Sequence, residues 1–320
     1  MRTAFLLAVL VLTTGCSVIS IDLSPRIRPL DEETVEGSGD DKIVLMDLSG
    51  FLSDESTAGL LTIGTPVPRV PLLVRIREEL KKATTDTKVK ALIVKINTPG
   101  GTVTAADVIY RELELFRREK KVPIVAVMMD VAASGGYYVA LAADTIVAHP
   151  TSVTGSIGVI MLSFNAEGLM QKLGVAANTI KSAEHKDMGS PFRALSAEER
   201  GIFQSVIDGL YQQFVAKVVA RRGLPEATAK ALADGRVYTA QQALQHRLVD
   251  RIGYMEDVVR TTREAAHLEK ARVVVYHRPR QYRATYYAES TTLADTPLTS
   301  TGALGSLMTP GPKFLYLWWP

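Results

Sequence analysis

Short apolar runs alternate with amphipathic stretches through the middle of the chain. Apolar runs bounded by polar or glycine-rich segments predict strands, and apolar residues spaced three or four positions apart predict helices. The pattern predicts strands at 43–48, 89–96, 122–129 and 145–148, and helices at 69–83, 105–120 and 135–143.

Each predicted strand is apolar on both faces, which is typical of a parallel sheet covered by helices on both sides. Strands that alternate with helices also require crossover connections, which are right-handed in nearly all proteins. We therefore expect one α/β domain. One large domain with extensions at both ends accounts for a chain of 320 residues.

The second half of the chain carries a longer helical pattern. Apolar stretches at 158–164 and 177–180 flank a predicted helix at 166–173. A helix at 196–222 begins with Ser196 and Glu199 in the spacing of a capping box. Two short helices near 225–232 and 239–245 flank a turn at 234–236.

The C-terminal region changes character twice. The periodicity decays after Arg272, and residues 283–312 are rich in Thr, Ser, Ala, Gly and Pro, which predicts an extended or disordered arm. Residues 313–320 are apolar again. This tail either docks as a plug into its own or a neighbour's cleft, or packs on the core or at a membrane interface, where Trp is favoured.

The N-terminus has the pattern of an export signal. Arg2 precedes a run of nine apolar residues at 4–12, too short to span a bilayer, and Cys16 follows. The segment resembles a bacterial lipoprotein signal, although Thr13 stands where Leu is usual. The resemblance implies lipidation of Cys16; an ordinary cleaved signal is the alternative.

Together these patterns divide the chain into four parts. We expect a signal peptide at 1–15, a polar tether at 16–41, the folded domain at 42–280, and a C-terminal arm with an apolar tail at 281–320. The predicted location is a bacterial cell membrane, with the domain facing the periplasm or the cell exterior. Ser17 after the cysteine resembles the pattern sent to the outer membrane.

Composition excludes several partners. The 37 basic and 34 acidic residues are spread along the chain without a basic block, so no nucleic-acid partner is expected. The single cysteine excludes an intrachain disulfide and a cysteine-based zinc site. The predicted chemistry needs no metal or other cofactor.

Two glycine-bearing turns follow predicted strands, where ligand sites of such sheets lie. One is at 97–101, and the other, at 133–138, places Ser134 at a strand-to-helix turn with an exposed hydroxyl. Backbone N–H groups at the start of the following helix, together with one from Gly100 or Gly101 of the neighbouring turn, could hold a developing oxyanion there. Each turn alone is more typical of a purely structural tight turn than of a catalytic site.

A serine nucleophile needs a base. The five histidines, at 149, 185, 246, 267 and 277, show no recognisable carboxylate partner pattern. A lysine can serve when burial lowers its pKa from ~10.4. Lys186 is the first candidate and Lys181 the second, and spacing alone does not decide between a base and an ordinary solvated lysine.

Five motifs in one order resemble the signal peptide peptidase A family of S49 serine peptidases. They lie at 97–101, 133–138, 153–159, 185–187 and 234–238, and the likeness covers about residues 42–260. The resemblance implies a crotonase-like and ClpP-like α/β spiral and a Ser-Lys dyad. It assigns Ser134 as nucleophile, Lys186 as base, Ser156 as the group that orients the lysine, Gly101 as one oxyanion donor and Gly135 as a second.

The resemblance also implies the substrate and the assembly. Relatives cleave hydrophobic segments, notably remnant signal peptides, and chains of this length form rings, here an octamer, that partly share catalytic groups between neighbours. One alternative is a crotonase-like acyl-thioester enzyme, which the export signal disfavours. The other is a catalytically inactive scaffold.

Overall fold

The structure, a computed structural model, describes residues 29–54, 70–279, 285–287 and 313–318. The predicted signal, the lipidation site Cys16 and most of the predicted C-terminal arm lie outside these residues. Among the helices in the described ranges, none is both long and apolar enough to cross a bilayer.

The described residues form twelve strands. In chain order they are β1 (Asp31–Gly37), β2 (Lys42–Ser49), β3 (Val89–Thr98), β4 (Gly100–Thr102), β5 (Ile124–Ala133), β6 (Thr145–Ala148), β7 (Val153–Gly155), β8 (Ile160–Leu162), β9 (Val237–Thr239), β10 (Arg251–Ile252), β11 (Arg272–His277) and β12 (Lys313–Leu317).

Eight α-helices and one 3₁₀-helix connect the strands of this part of the chain. The α-helices are α1 (Leu72–Thr85), α2 (Val103–Lys120), α3 (Gly135–Ala140), α4 (Glu167–Lys172), α5 (Ala197–Arg222), α6 (Glu226–Leu232), α7 (Ala240–Gln245) and α8 (Met255–Ala265); the 3₁₀-helix spans Glu184–Asp187. The predicted capping box opens α5: Ser196 Oγ accepts from Glu199 N, and the Glu199 carboxylate accepts from Ser196 N.

A mostly parallel sheet forms the centre of the fold, in the strand order β1-β11-β2-β3-β5-β6-β10. All neighbours along this path are parallel except the antiparallel pair β1 and β11. The far end of β5 leaves β6 and pairs instead with β7, which in turn pairs with β9. The predicted α/β class with a parallel sheet is confirmed.

Alternate side chains of the central strands point into two separate cores. Val44, Met46 and Leu48 face the larger core, which is shared with α1, α2, α3 and α5. Ile43 and Leu45 face a smaller core that includes Val258 of α8. Helices therefore cover both faces of β2, which explains why its sequence is apolar throughout.

Three sequence expectations differ from the structure. Asp31–Gly37, placed in the polar tether, forms β1, because an edge strand with one solvated face can carry many acidic residues. Arg272–His277 forms β11, where we expected the pattern to decay. The apolar stretch 177–180 forms no strand, and Ile180 is fully exposed.

A second, three-stranded sheet joins distant parts of the chain. The C-terminal strand β12 lies antiparallel between β4 and β8. Leu315, Tyr316 and Leu317 are buried there. The apolar tail thus packs against the loop that carries Gly100 and Gly101.

Candidate active site

Ser134 lies between the end of β5 and the start of α3 in a rare backbone conformation. Its φ is 51° and its ψ is −112°, a combination that costs about 1–3 kcal/mol and persists only where the surrounding structure enforces it. The side chain is buried, contrary to the expected exposed hydroxyl, and its Oγ has no hydrogen-bond partner among the described residues. Strained backbone and unpaired buried polar groups are found preferentially at functional sites.

Ser156 is held beside Ser134 by parallel strand pairing. Ala133 of β5 is paired with Gly155 of β7, so the two serines follow directly after partner residues. Ser134 N donates to Gly155 O at 2.8 Å, and Ser156 also has a positive φ of 49°. The structure therefore brings together the predicted nucleophile and the predicted orienting serine.

The predicted oxyanion glycines meet next to this turn. A Cβ built on Gly135 would lie 3.3 Å from Gly101 N, and one built on Gly100 would lie 2.9 Å from Gly135 N. Gly100 itself has a φ of 110°, which favours glycine. The backbone of the 97–101 turn thus lies against the start of α3.

Leu52 fixes the position of the glycine turn from the other side. Its N–H donates to Gly100 O at 2.9 Å, and its carbonyl accepts from Thr102 N at 2.8 Å. A Cβ on Gly101 would overlap the Leu52 backbone. No feature of the sequence indicated Leu52, because its role depends on backbone groups that any residue carries.

A further motif is built around Tyr238. Its ring lies 2.5 Å from the position of a Cβ on Gly155, which explains the glycine, and its hydroxyl donates to Leu232 O at 2.9 Å. Ser156 N donates to Arg236 O at 2.7 Å. Four of the five motifs found in the sequence therefore converge at one end of the sheet.

The fifth motif, which carries Lys186, does not join this cluster within the single chain. Lys186 lies in the 3₁₀-helix and is exposed. Since Ser134 Oγ has no hydrogen-bond partner among the described residues, the expected contact between Lys186 and Ser134 is not formed here. Their pairing in an assembly stays a prediction.

Lys181, the competing lysine, is held in an ion pair. Its Nζ donates to Asp187 Oδ1 at 2.8 Å, and Asp187 also accepts from Arg193 at 2.8 Å. Hydrogen bonds from Arg193 and then from Lys181 hold the pKa of Asp187 far below its usual range. An ammonium paired with a permanent carboxylate is a poor general base.

Arg193 extends this network to the start of α5. Its guanidinium also donates hydrogen bonds to the Glu199 carboxylate. These bonds from Arg193, together with a bond from the backbone N–H of Ser196, lower the pKa of Glu199 to about 2. The loop that carries Lys186 is therefore fastened to the N-terminus of the longest helix of the described chain.

Other candidate bases are occupied elsewhere. Lys95 is buried, but its Nζ lies 3.1 Å from Asp47 Oδ1 on the neighbouring strand. His149 Nδ1 lies 2.9 Å from Thr151 Oγ1, and His185 lies near Glu198. In the described ranges, no group of three or more His, Cys, Asp or Glu residues is placed to hold a metal ion.

An open cleft of about 420 Å³ begins at Ser156. One wall is α5, through Gln204, Asp208 and Tyr211, and the C-terminal segment contributes Leu317 and Trp318. The cleft therefore lies between the strand end that carries Ser156 and one face of α5.

Comparison with known proteins gives the class of this site. The profile of peptidase family S49 matches residues 116–269. A protein of Enterococcus faecium named "Putative signal peptide peptidase SppA" is 35% identical over 248 residues, which cover 77% of this chain and 70% of the relative.

Two longer relatives match over a smaller part of their length. The chloroplastic serine protease SPPA of Arabidopsis thaliana is 33% identical over 75% of this chain and 35% of its own. Protease 4 of Salmonella typhi is 34% identical over 72% of this chain and 35% of its own.

The fold and these similarities define a serine-type peptidase, a hydrolase with an α/β architecture of the ClpP and crotonase type. The chain belongs to peptidase family S49. The resemblance noted in the sequence is thereby confirmed, and the acyl-thioester alternative is set aside.

Proposed function

We propose that this chain is a membrane-anchored endopeptidase that cleaves hydrophobic peptide segments with a Ser134–Lys186 dyad. One observation carries the proposal: Ser134 has a strained backbone and a buried, unpartnered Oγ beside the two oxyanion glycines. An arrangement that costs folding energy and leaves a hydroxyl unpaired is explained by chemistry at that hydroxyl.

The reaction proceeds by acyl transfer. Neutral Lys186 takes the proton of Ser134 while Oγ attacks the peptide carbonyl, and the N–H groups of Gly101 and Gly135 stabilise the oxyanion. The lysinium then gives its proton to the leaving amine. Water, deprotonated by the same lysine, hydrolyses the acyl-enzyme and restores Ser134.

We propose that Lys186 acts in the site of a neighbouring copy. The segment before it and the residue Phe192 after it carry exposed apolar side chains, which a monomer gains nothing by displaying. They are Phe164, Leu169, Leu173, Val175, Ile180 and Phe192, each between 48% and 102% exposed. Burial of this surface against a neighbour in a ring, with an octamer as the proposed size, would also remove the lysine from water and disfavour its charged form.

The proposed membrane anchor is supported by the sequence of the N-terminal segment, and the proposed substrate by the resemblance to the family. The signal-like segment that ends at Cys16 supports lipid attachment on the outer side of a bacterial membrane. An anchored site lies beside the bilayer, where remnant signal peptides are found. Replacement of Cys16 by Ser should move the chain from the membrane to the soluble fraction and abolish labelling by a radioactive fatty acid; membrane retention with unchanged labelling would contradict lipidation.

A fluorophosphonate probe tests the nucleophile. The wild-type chain should be labelled covalently and should hydrolyse an unfolded protein substrate, whereas Ser134→Ala should do neither. Ser205→Ala is the matched control, because Ser205 is exposed on α5 and donates only to Ile202 O within its own helix. Equal labelling of Ser134→Ala and wild type would contradict the assignment of Ser134 as nucleophile. Absence of labelling in wild type would favour an inactive scaffold.

A further inference from the structure

Thr98 is a buried threonine at the point where β3 passes into the glycine turn. It is the last residue of β3, and none of its surface is exposed. Its backbone pairs with Ala132 of β5, two residues before Ser134. A hydroxyl in such a place needs hydrogen-bond partners, because burial without them is costly. Its partners identify the backbone segments that it joins.

The hydroxyl joins the glycine turn to the segment that follows β2. Thr98 Oγ1 accepts a hydrogen bond from Gly100 N at 3.1 Å. The hydroxyl donates to the carbonyl of Gly50, a residue that is itself held because Gly50 N donates to Asn97 O at 3.0 Å. Gly100 O also lies 3.2 Å from Oγ1, but the single hydroxyl hydrogen serves one carbonyl at a time. One side chain thus connects the turn to its neighbouring segment.

The bond to Thr98 distinguishes the two glycine amides of the turn. The Gly100 N–H has one hydrogen, and Thr98 Oγ1 accepts it. The Gly101 N–H is not used by Thr98, and its nitrogen lies 3.3 Å from the position of a Cβ on Gly135, at the start of α3. Of the two amides that the sequence left open, that of Gly101 is therefore the one placed to serve as oxyanion donor.

The methyl group of Thr98 contacts the helix that follows the nucleophile. A Cβ built on Gly136 would lie 2.8 Å from Thr98 Cγ2 and 3.0 Å from Thr98 O. Gly136 is the second residue after Ser134. The same side chain therefore touches the oxyanion turn through its hydroxyl and the start of α3 through its methyl group.

We infer that Thr98 is a positioning residue for the oxyanion donor. Its hydroxyl holds Gly100 so that the N–H of Gly101 points to the carbonyl that Ser134 attacks. The inference rests on the proposed function, because an oxyanion donor acts only if Ser134 is the nucleophile. A donor is effective only about 2.7–3.1 Å from the oxyanion, so a small displacement of the turn lowers the rate.

Three substitutions separate the hydroxyl from the methyl group. Thr98→Val keeps the shape without the hydroxyl, Thr98→Ala lacks both groups, and Thr98→Ser keeps the hydroxyl alone. We expect kcat for an unfolded protein substrate to fall by about 10- to 100-fold in Thr98→Val, with KM nearly unchanged, because the donor is displaced and substrate contacts remain. The kcat of Thr98→Ser should exceed that of Thr98→Ala by at least about tenfold.

The rate of fluorophosphonate labelling gives a second readout. The phosphoryl oxygen of the probe takes the place of the substrate carbonyl oxygen, so the same N–H group assists its reaction with Ser134. The labelling rate should therefore fall in Thr98→Val and Thr98→Ala and recover in Thr98→Ser. Loss of kcat without any change in this rate would contradict a role at the oxyanion.

Thr262→Val is the matched control. Thr262 is also fully buried, and its Oγ1 donates to Val258 O at 2.7 Å within α8, on the side of the smaller core. It loses the same hydroxyl as Thr98→Val, but far from the glycine turn in the chain. Its kcat, KM and labelling rate should match those of wild type, whatever the change in Tm.

Several outcomes would overturn the inference. They are a wild-type kcat in Thr98→Val, or equal kcat in Thr98→Ser and Thr98→Ala. Circular dichroism melts cover the remaining case: if both variants without the hydroxyl are unfolded at a temperature at which Thr98→Ser is folded, the hydroxyl serves folding and not turnover.

The two proposals fail in different ways. If wild type is neither labelled by fluorophosphonate nor proteolytic, the assignment of Ser134 is wrong, whatever the Thr98 variants show. If wild type is labelled and hydrolyses protein, and Thr98→Val does both equally well, only the inference about Thr98 is wrong.

Discussion

Ser134 and Ser156 leave two paired parallel strands at the same level, each directly after one member of the Ala133–Gly155 pair, and both have a φ near 50°. A positive φ is unfavourable for every residue except glycine, and here two neighbouring serines both adopt it. This coincidence supports a common function for the two residues. In the proposed mechanism one supplies the nucleophile, and the other positions the incoming lysine.

Ser156→Ala should separate these roles. We expect kcat to fall by about 10- to 100-fold with KM nearly unchanged, because a misplaced base affects proton transfer and not binding. Ser152→Ala is the control: Ser152 Oγ donates to Met128 O at 2.8 Å in the sheet, so its loss should cost about 1 kcal/mol of stability and spare kcat. Steady-state kinetics and thermal unfolding of both variants decide; a kcat equal to wild type in Ser156→Ala would contradict the positioning role.

Mixed assemblies should show whether a neighbour supplies Lys186. Ser134→Ala and Lys186→Ala chains should each be inactive alone. Unfolded together and reassembled, they should recover part of the activity, since some sites then combine an intact serine with an intact lysine from different chains. Peptidase assays of the mixture against the separate variants test this, and a mixture as inactive as its components would indicate a dyad within one chain.

Lys181→Ala provides the comparison for the choice of lysine. Because Lys181 is already paired with Asp187, its loss should leave most activity. Lys186→Arg should abolish turnover, because a guanidinium cannot act as a base near neutral pH. Measured kcat values in the opposite order would make Lys181 the base.

The oxyanion turn should not tolerate a side chain. Gly101→Ala would force a Cβ into the Leu52 backbone and displace the N–H that holds the oxyanion, so kcat should fall by about 100-fold or more. Gly209→Ala is the matched control, because Gly209 lies within α5 with open space at its Cβ position; it should gain about 0.5–1 kcal/mol in stability. Steady-state kinetics and denaturant unfolding of both variants test this. Normal turnover in Gly101→Ala would contradict the role of the Gly101 N–H as an oxyanion donor.

The Arg193–Glu199 network should make stability depend on acidity. Glu199 has its pKa lowered from 4.5 to about 2, so its contribution is fully present above 4.5 and is lost as the pH falls towards 2. Glu199→Gln lacks this contribution. The Tm difference between wild type and variant should therefore be largest near about pH 7 and should shrink below about pH 4; circular dichroism melts that show a constant difference would disprove the linkage.

Much of the central fold was predictable because its local pattern is strong. The strand at 145–148 and the capping box at Ser196 were placed correctly, and the helix at 196–222 begins and ends within one residue of the prediction. The end of β5 was placed too early, at residue 129, because its last residues are held by pairing with β7 and not by their own apolar character.

The errors share one cause. Asp31–Gly37 became an edge strand despite its acidic sequence, and the apolar stretch at 177–180 remained exposed. In both places a packing partner decides the outcome. The strand β11 pairs with the first segment, whereas the second segment packs against none of the residues that the structure describes. The pattern of a single sequence shows which residues a segment could bury, but it does not show which other segment will pack against them.

The α/β class, the motifs at the ends of the strands and Ser134 as the candidate nucleophile could all be predicted from the sequence, since they depend on local periodicity and on turns that few residues can form. Only the tertiary structure decided that Tyr316 lies opposite Gly101, and that Lys186 stands apart from Ser134 in the single chain. The physical reason is that strand pairing joins backbone groups, which every residue carries, so contacts between residues more than 200 positions apart leave no local mark in the sequence.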